Sequence, residues 1–237
     1  MSEPPFGVVY LDNHLLVVEK PAGMLSQGDA TGDADLVTLA KAYLKARFDK
    51  PGKVFCGLVH RLDRPAAGLV VLARTSKAAG RLADQFRRRT VGKRYLAVVE
   101  GQIDGSGRCV DWLVKERGTV RRVSQRHPGA RRAELAWTAR AVVGRRTLVE
   151  VDLVTGRPHQ IRVQLRHLVG PLVGDLRYGA PEPMGDGRGL ALLSAALEVD
   201  HPTRRERMRW VASPPAVWPG ALRAPAERAL DAMREAP

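Results

Sequence analysis

The chain has 237 residues, 44% of them hydrophobic, and a net charge of +14, which suits one large or two small domains with a sizeable core. Arg supplies 31 of the 39 basic residues, and its planar fork matches phosphate oxygens, so a nucleic-acid partner is favoured. The two cysteines form no CxxC pair, and no signal peptide or run of about 18 apolar residues is present, which excludes a disulfide framework, argues against a zinc site and predicts a soluble cytoplasmic protein.

In the first half of the chain, short apolar runs alternate with segments of helical spacing. Ser76 is the predicted N-cap of the second helix. The predicted elements are a strand and turn over Val8–His14, a strand over Leu15–Lys20, a helix over Leu36–Phe48, a strand from Gly68 to Ala73, a helix from Ser76 to about Arg89 and a strand over Lys93–Gly101.

In the second half, strands mostly follow one another, and the Arg-rich segment Gly118–Arg132 is predicted to be a loop or an exposed hairpin. Pro158 suits the first position of a helix. The predicted elements are strands over Arg108–Lys115, Ala133–Val143, Thr147–Val154, Leu190–Val199 and Met208–Val211, a helix over His159–Leu168, and a helix over Gly220–Ala236 laid on the surface.

This order favours an α+β fold with a largely antiparallel mixed sheet flanked by helices and loops, because strands outnumber helices and follow one another. We find no internal repeat and no long linker. The expected organisation is therefore a single domain over residues 1–237, with a core of about 8–212 and a helical tail over 213–237.

One stretch, Leu58–Ala73, places a carboxylate, Asp63, between Arg61 and Arg64 and just before an apolar strand. Nearby cations favour the ionised form of a carboxylate. Asp63 is therefore a candidate nucleophile, general base or ion-pair anchor. Taken alone, the pattern is more often a structural Arg–Asp pair, because ordinary ion pairs also perturb acids.

A second stretch, Thr155–Arg166, predicts a turn followed by a helix with a basic side. His159, Arg162 and Arg166 are spaced to share one face, opposite an apolar face containing Ile161, Leu165 and Leu168. A helix start with nearby cations attracts anions. The basic side is thus either a phosphate site or a solvated face, and the basic composition of the whole chain favours the phosphate site.

Five motifs in a fixed order resemble those of the RluA-type pseudouridine synthases and together span roughly residues 8–200. The resemblance implies the pseudouridine synthase fold and the conversion of uridine in structured RNA, either rRNA or tRNA, to pseudouridine without a cofactor or a metal. The N-terminal S4-like RNA-binding domain of many members is expected to be absent. The matching stretches are Asp12–Gly23, His60–Gly68, Lys93–Gly101, Thr155–Arg162 and Pro171–Gly179.

The resemblance also implies roles for single residues. Asp63 is the expected catalytic residue, Arg162 its cationic partner, and Tyr95 an aromatic that lies against the uracil ring. A uridine in a stem has to be flipped out to reach a carboxylate, and Arg61 is expected to hold the flipped strand or fill the gap. The expected phosphate contacts are Arg64, Lys93, Arg94, Arg157, His159 and Arg166.

Two departures from the family pattern affect loops near these residues. Pro65-Ala66-Ala67 replaces Thr or Ser that many members carry, and Pro158 replaces a commoner Ser or Thr. The resemblance does not decide whether Asp63 attacks the nucleotide or helps expel uracil by abstracting a ribose proton. Nor does it name the RNA, although a monomer is expected.

Three alternative functions fit the sequence less well. An RNA-binding protein of the same fold that has lost catalysis is disfavoured by the intact set of Asp63, Tyr95 and Arg162. A protein kinase is a second alternative, because His60-Arg61-Leu62-Asp63 is similar to the kinase H-R-D motif. A kinase would also need a Gly-rich loop and a D-F-G motif, and the sequence has neither. A glycosidase would need a second carboxylate about 5–9.5 Å from the first, and none stands out in the matching motifs.

Overall fold

The computed structural model describes residues 3–235, which form one mixed sheet and four α-helices. The strands are β1 (Gly7–Leu11), β2 (Leu15–Lys20), β3 (Gly57–Leu58), β4 (Ala67–Ala73), β5 (Gly92–Glu100), β6 (Ser106–Glu116), β7 (Thr119–Val123), β8 (Arg131–Val143), β9 (Arg146–Leu153), β10 (Leu192–Asp200) and β11 (Arg207–Val211). The helices are α1 (Leu36–Arg47), α2 (Ser76–Arg88), α3 (Gln160–Leu168) and α4 (Gly220–Glu235), with a short 3-10 helix at Leu176–Tyr178.

The sheet runs in the order β1-β2-β4-β10-β5-β9-β8-β6-β7, with β3 pairing β4 and β11 pairing β10. Among the described strands, the pairs are antiparallel except for β4 with β10. The predicted α+β fold with a largely antiparallel mixed sheet is therefore confirmed.

Both faces of the central strands are buried, which explains why their sequences are continuously apolar rather than alternating. Successive residues point to opposite faces, so Leu15 and Leu69 join one core cluster while Leu16 and Val70 join the other. Helices α2 and α4 cover the first face, and α1 and α3 cover the second. The site described below lies on the second face, at the start of α3.

Two helix starts differ from the prediction by one residue. Thr75, not Ser76, caps α2, because its hydroxyl accepts a hydrogen bond from the Ala78 N–H. Pro158 is not the first residue of α3, because His159 precedes that helix in a left-handed conformation with φ of 50°. The first helical residue is Gln160, two positions after Pro158.

The C-terminal helix does more than cover the surface, contrary to the prediction. Leu222, Ala226, Leu230 and Met233 of α4 are buried in the first core cluster, since an amphipathic Ala-rich helix can bury its apolar side against a sheet. Ala236 lies outside the described residues. The segment Gly118–Arg132 contains β7, which pairs with β6, so the hairpin alternative is the one observed.

Gly68 allows β4 and β10 to pair in parallel. It has a φ of +109°, and a Cβ placed there would lie 2.4 Å from the Ser194 carbonyl oxygen. Only glycine adopts this conformation without strain at such a close approach. Ser194 also pairs with Tyr95 of β5, so this crossing ties the Asp63 loop to the strand that carries Tyr95.

Candidate active site

The loop between β3 and β4 carries Asp63 and is held from both sides. The Ser26 hydroxyl donates to the Leu62 carbonyl at 2.8 Å and accepts from the Leu62 N–H at 3.1 Å. The Ala66 N–H donates to the Asp63 carbonyl, which closes a turn. These hydrogen bonds fix the backbone of Asp63 and leave its side chain 27% exposed.

The same loop explains the Pro65-Ala66-Ala67 departure from the family pattern. Ala66 is buried in the core, where a hydroxyl would need a hydrogen-bond partner. The Pro65 carbonyl accepts from the Leu190 N–H. This sequence thus uses apolar packing and a backbone hydrogen bond at these positions.

Arg162 is buried and lies between two carboxylates. Its Nη1 is 3.2 Å from Asp63 Oδ2, while its Nε and Nη2 donate to Asp175 at 2.8 and 2.7 Å. Burial alone would lower the pKa of Arg162, but the hydrogen bonds to Asp175 and the charges of both carboxylates raise it. Arg162 is therefore a fixed cation beside Asp63, held in place by a bidentate pair.

His159 stands on the other side of the Asp63 carboxylate. Its Nε2 is 3.8 Å from Asp63 Oδ2, and its Nδ1 is 2.7 Å from the Tyr178 hydroxyl. Burial lowers the pKa of His159, and the nearby Asp63 charge opposes that shift. His159 thus contacts the Asp63 side of the site rather than standing on an exposed basic face.

Helix α3 therefore differs from the predicted division into a basic face and an apolar face. Arg162 is buried at 4% exposure, whereas Leu168 is 38% exposed. The reason is tertiary, because the two carboxylates that pair with Arg162 come from other segments of the chain. Ile161 and Leu165 are buried as predicted.

A cavity of about 480 Å³ opens beside Asp63, within the usual size range of small-ligand pockets. The Tyr95 ring lies in its wall, and burial raises the pKa of that tyrosine to about 12 despite a hydrogen bond with Ser194. The cavity wall therefore combines an aromatic ring with a carboxylate. The cationic side chains at its edge are Arg61, Arg87, Arg89, Lys93, Arg157 and Arg162.

The structure brings together most of the residues that the sequence proposed for RNA contact. Arg61, Lys93, Arg157 and His159 line this cavity. Burial, followed by the nearby Arg89 charge, lowers the pKa of Lys93 to about 8. An anionic ligand in the cavity would favour the protonated lysine.

Two of the proposed contacts lie elsewhere. Arg94 is not among the residues that line the cavity and pairs with Asp152 at 3.4 Å, because neighbouring strand residues face opposite sides of a sheet. Arg166 donates its Nε to the Tyr178 carbonyl. Their contact with RNA stays a prediction.

A second cavity, of about 330 Å³, lies on the other side of Asp63. Arg64 and Arg177 line it, and the exposed Leu176 is at its edge. Arg64 also pairs with Asp33 at 2.5 Å. Asp63 thus lines two cavities, and each of them has cationic side chains in its wall.

His60 stabilises the loop that carries Asp63. Its Nε2 accepts from the Val71 N–H at 3.0 Å, and its ring stacks on Phe86 at 4.6 Å. Burial lowers the pKa of His60 to about 3. The imidazole is therefore neutral at neutral pH and holds β4 against the loop.

Sequence reasoning did not single out Lys20, which contacts the loop that carries Asp63. It is 1% exposed, and its Nζ donates to the carbonyls of Pro21, Met24 and Arg64. Burial lowers the pKa of Lys20 to about 7, although Asp63 opposes the shift. A lysine that ends a largely apolar strand and directly precedes a proline was the available signal.

Comparisons with known proteins agree with this geometry. Residues 14–167 match the family described as RNA pseudouridylate synthase. The chain belongs to this family. The expected activity, isomerisation of uridine in RNA to pseudouridine, is the activity of the family, and the comparisons give no support to the inactive alternative.

Curated relatives cover most of the chain. The chain is 34% identical to ribosomal large subunit pseudouridine synthase D of Yersinia pestis, over 90% of this chain and 69% of that protein. It is 31% identical to ribosomal large subunit pseudouridine synthase C of Vibrio cholerae, over 97% of this chain and 70% of that protein. The chain thus spans about two thirds of the length of these relatives.

Two solved structures share the fold. The human RNA pseudouridylate synthase domain containing 4 superposes with a TM-score of 0.75 at 23% identity, over 95% of this chain and 93% of that one. The human RNA pseudouridylate synthase domain containing 1 gives 0.73 at 23% identity, over 99% and 96%. The expected pseudouridine synthase fold is therefore confirmed.

Two kinds of feature are absent from residues 3–235. No three His, Cys, Asp or Glu side chains in this range come together in a way that could hold a metal ion. No helix in the same range is both long and apolar enough to cross a membrane.

Proposed function

We propose that this RNA pseudouridine synthase modifies uridine in large-subunit ribosomal RNA and that Asp63 is its essential catalytic residue. The observation that carries the proposal is the placement of Asp63, whose carboxylate faces the 480 Å³ cavity with one direct ion pair. The rRNA target is supported by the Yersinia pestis and Vibrio cholerae relatives, which are named ribosomal large subunit pseudouridine synthases. A tRNA target is the alternative that the experiment below distinguishes.

The reaction needs no net oxidation or reduction. The C1′–N1 bond of uridine breaks, a C1′–C5 bond forms, the C5 proton leaves and N1 gains a proton. Asp63 has to be ionised either to attack the nucleotide or to abstract a ribose proton. Arg162 places a buried, fixed positive charge 3.2 Å from the Asp63 carboxylate.

The cavity supports entry of a flipped uridine. Unstacking a base costs a few kcal/mol, and an aromatic wall at Tyr95 offers a new stacking surface. Arg61, which is exposed at the cavity edge, is positioned to hold the strand from which the base has left. Lys93 and Arg157 supply cations for the phosphates on either side.

The role of Asp63 is tested with RNA that carries tritium at C5 of uridine. Asp63→Asn keeps the shape of the side chain and removes its charge, so we expect the single-turnover rate of tritium release to fall at least about 10²-fold. Asp231→Asn is the matched control, since Asp231 is exposed on α4 and its partner within residues 3–235 is the neighbouring Arg234. Normal release by Asp63→Asn would contradict the proposal.

The choice of RNA is tested by mapping pseudouridines in cells with and without the gene. We expect one or more positions in large-subunit rRNA to lose pseudouridine, and plasmid-borne wild type, but not Asp63→Asn, to restore them. Loss confined to tRNA would overturn the rRNA assignment and leave the activity itself intact.

A further inference from the structure

Tyr178 is buried and lines neither cavity, yet its side chain contacts the active site. Its hydroxyl accepts from the Val120 N–H at 3.0 Å and lies 2.7 Å from His159 Nδ1. The hydroxyl therefore stands between the β6–β7 hairpin and the histidine that faces Asp63. Two more contacts fix this tyrosine, from Arg166 to its carbonyl and from the Arg162 guanidinium over its ring at 4.9 Å.

The direction of these hydrogen bonds determines which nitrogen of His159 carries hydrogen. A backbone N–H can only donate, so Val120 occupies one acceptor position of the hydroxyl. The single hydroxyl hydrogen then has His159 Nδ1 as its partner. If Nδ1 carried the hydrogen instead, the buried O–H of Tyr178 would have no acceptor, which costs about 1–3 kcal/mol.

With Nδ1 as the acceptor, the hydrogen of the neutral imidazole is on Nε2, the nitrogen that lies 3.8 Å from Asp63 Oδ2. We infer that Tyr178 is a positioning residue that holds His159 in the Nε2–H tautomer, with this N–H directed at the catalytic carboxylate. Asp63 thus faces two oriented donors, the Arg162 guanidinium at 3.2 Å and the His159 N–H. The kinetic part of this inference rests on the proposed function.

The backbone conformation at His159 also supports a specific positioning of its ring. Its φ of 50° and ψ of 20° are left-handed, a conformation that costs a non-glycine residue free energy and recurs at functional sites. In this turn, just before α3, the ring lies between Asp63 and Tyr178. The charged and titratable groups around the ring are Asp63 from the β3–β4 loop, Arg162 from α3, and Asp175, Arg177 and Tyr178 from the segment after α3.

The hydrogen bond from Tyr178 to His159 requires a neutral imidazole, because Nδ1 accepts only while it carries no hydrogen. A proton on Nδ1 would face the Tyr178 hydroxyl, which would have to give up donating. Burial already lowers the pKa of His159 below its usual 6.5. Removing the hydroxyl removes a donor to Nδ1, so protonation becomes easier and the pKa of His159 should rise.

The test uses Tyr178→Phe, which removes one oxygen from a buried ring. In single-turnover tritium release at neutral pH we expect a rate about tenfold lower, the scale of one lost net hydrogen bond. The acid limb of the pH–rate profile should move to higher pH, while the KM for RNA stays the same. Tyr10→Phe is the matched control, because the Tyr10 hydroxyl binds Asp12, away from both cavities.

A second measurement does not depend on catalysis. Two-bond ¹H–¹⁵N correlation spectra of the imidazole distinguish Nδ1–H from Nε2–H, and His159→Asn assigns the signal because Asn tolerates a left-handed φ. We expect Nε2–H in the wild type and a loss of that single tautomer in Tyr178→Phe. An Nδ1–H wild type, or a Tyr178→Phe variant with an unchanged tautomer and an unchanged acid limb, would overturn the inference. If the wild type failed to release tritium, the proposed function would fail, and the spectra would still decide the tautomer.

Discussion

The molecule contains two clusters of Asp, His and Arg, and they differ in how many hydrogen-bond donors surround the carboxylate. At the end of β1, Asp12 Oδ1 accepts from the N–H groups of His14 and Leu15, and Oδ2 accepts from Tyr10 and from His201. At the start of α3, Asp63 Oδ2 has Arg162 at 3.2 Å and His159 at 3.8 Å. The first carboxylate is saturated with donors, and the second faces a cavity.

The two histidines sharpen this comparison. His201 Nδ1 accepts from the Arg204 N–H at 3.0 Å, so its Nε2 carries the hydrogen that is 2.8 Å from Asp12. His159 has the same arrangement of nitrogens, but its Nε2 is 3.8 Å from Asp63. A closed Asp–His pair holds two loops together, whereas an open pair leaves acceptor positions of the carboxylate for another molecule.

The largest expected effect concerns the two arginines. Arg162→Met would leave Asp175, whose side chain is 1% exposed, as an unpaired buried charge, so we expect the free energy of unfolding to fall by about 3–5 kcal/mol. Arg204→Met is the matched change at the other cluster. Since the Arg204 side chain is 47% exposed, the expected loss is about 0–1 kcal/mol.

Urea unfolding of both variants and the wild type measures this difference. Equal losses would show that the buried pair of Arg162 and Asp175 does not stabilise the site as the geometry implies.

A smaller effect is expected when Asp12 and Asp63 are each replaced by Asn and the free energy of unfolding is compared. Asp12→Asn replaces an acceptor with an amide donor facing the His201 Nε2–H, so we expect a loss of about 1–2 kcal/mol. Asp63→Asn loses only one direct ion pair and should unfold within about 0.5 kcal/mol of the wild type. Chemical denaturation at neutral pH gives both values, and a reversed order would break the comparison.

The smallest effect is the pH dependence of the same pair. Burial raises the pKa of Asp12, but hydrogen bonds from His14, Leu15, His201 and Tyr10 outweigh it and lower that pKa to about 2. A depressed folded-state pKa adds stability above the unfolded value of 3.8, and this stability is lost as the pH falls toward 2. Because Asp12 is partly solvated, we expect about 1 kcal/mol.

The measurement is the free energy of unfolding at pH 5 and pH 2 for the wild type and Asp12→Asn. The wild type should lose more stability than the variant across that interval. Parallel curves would mean that the Asp12 hydrogen bonds do not favour its ionised form.

Much of the fold and several residues of the site could be predicted from the sequence alone. Local patterns predicted the main strands and helices, because burial on both faces of the sheet requires continuous apolar runs such as Leu15–Val18 and Leu69–Leu72. Motif order indicated the family and selected Asp63, Tyr95 and Arg162. Helix α4 shows the limit, since an Ala-rich amphipathic pattern does not say whether its apolar side meets a core.

Only the tertiary structure decided which charged groups meet. Asp63 and Arg162 are 99 positions apart. The hydrogen bond from Lys20 to the Arg64 carbonyl and the contact of Tyr178 with Val120 also join distant segments, 44 and 58 positions apart. Periodicity predicted that Arg162 lies on a basic face of α3. It did not predict the burial of Arg162, because periodicity reports which side of a helix a residue occupies and not what packs against that side. The sequence thus determined which groups are available, and the fold decided which carboxylate is saturated and which is left open to substrate.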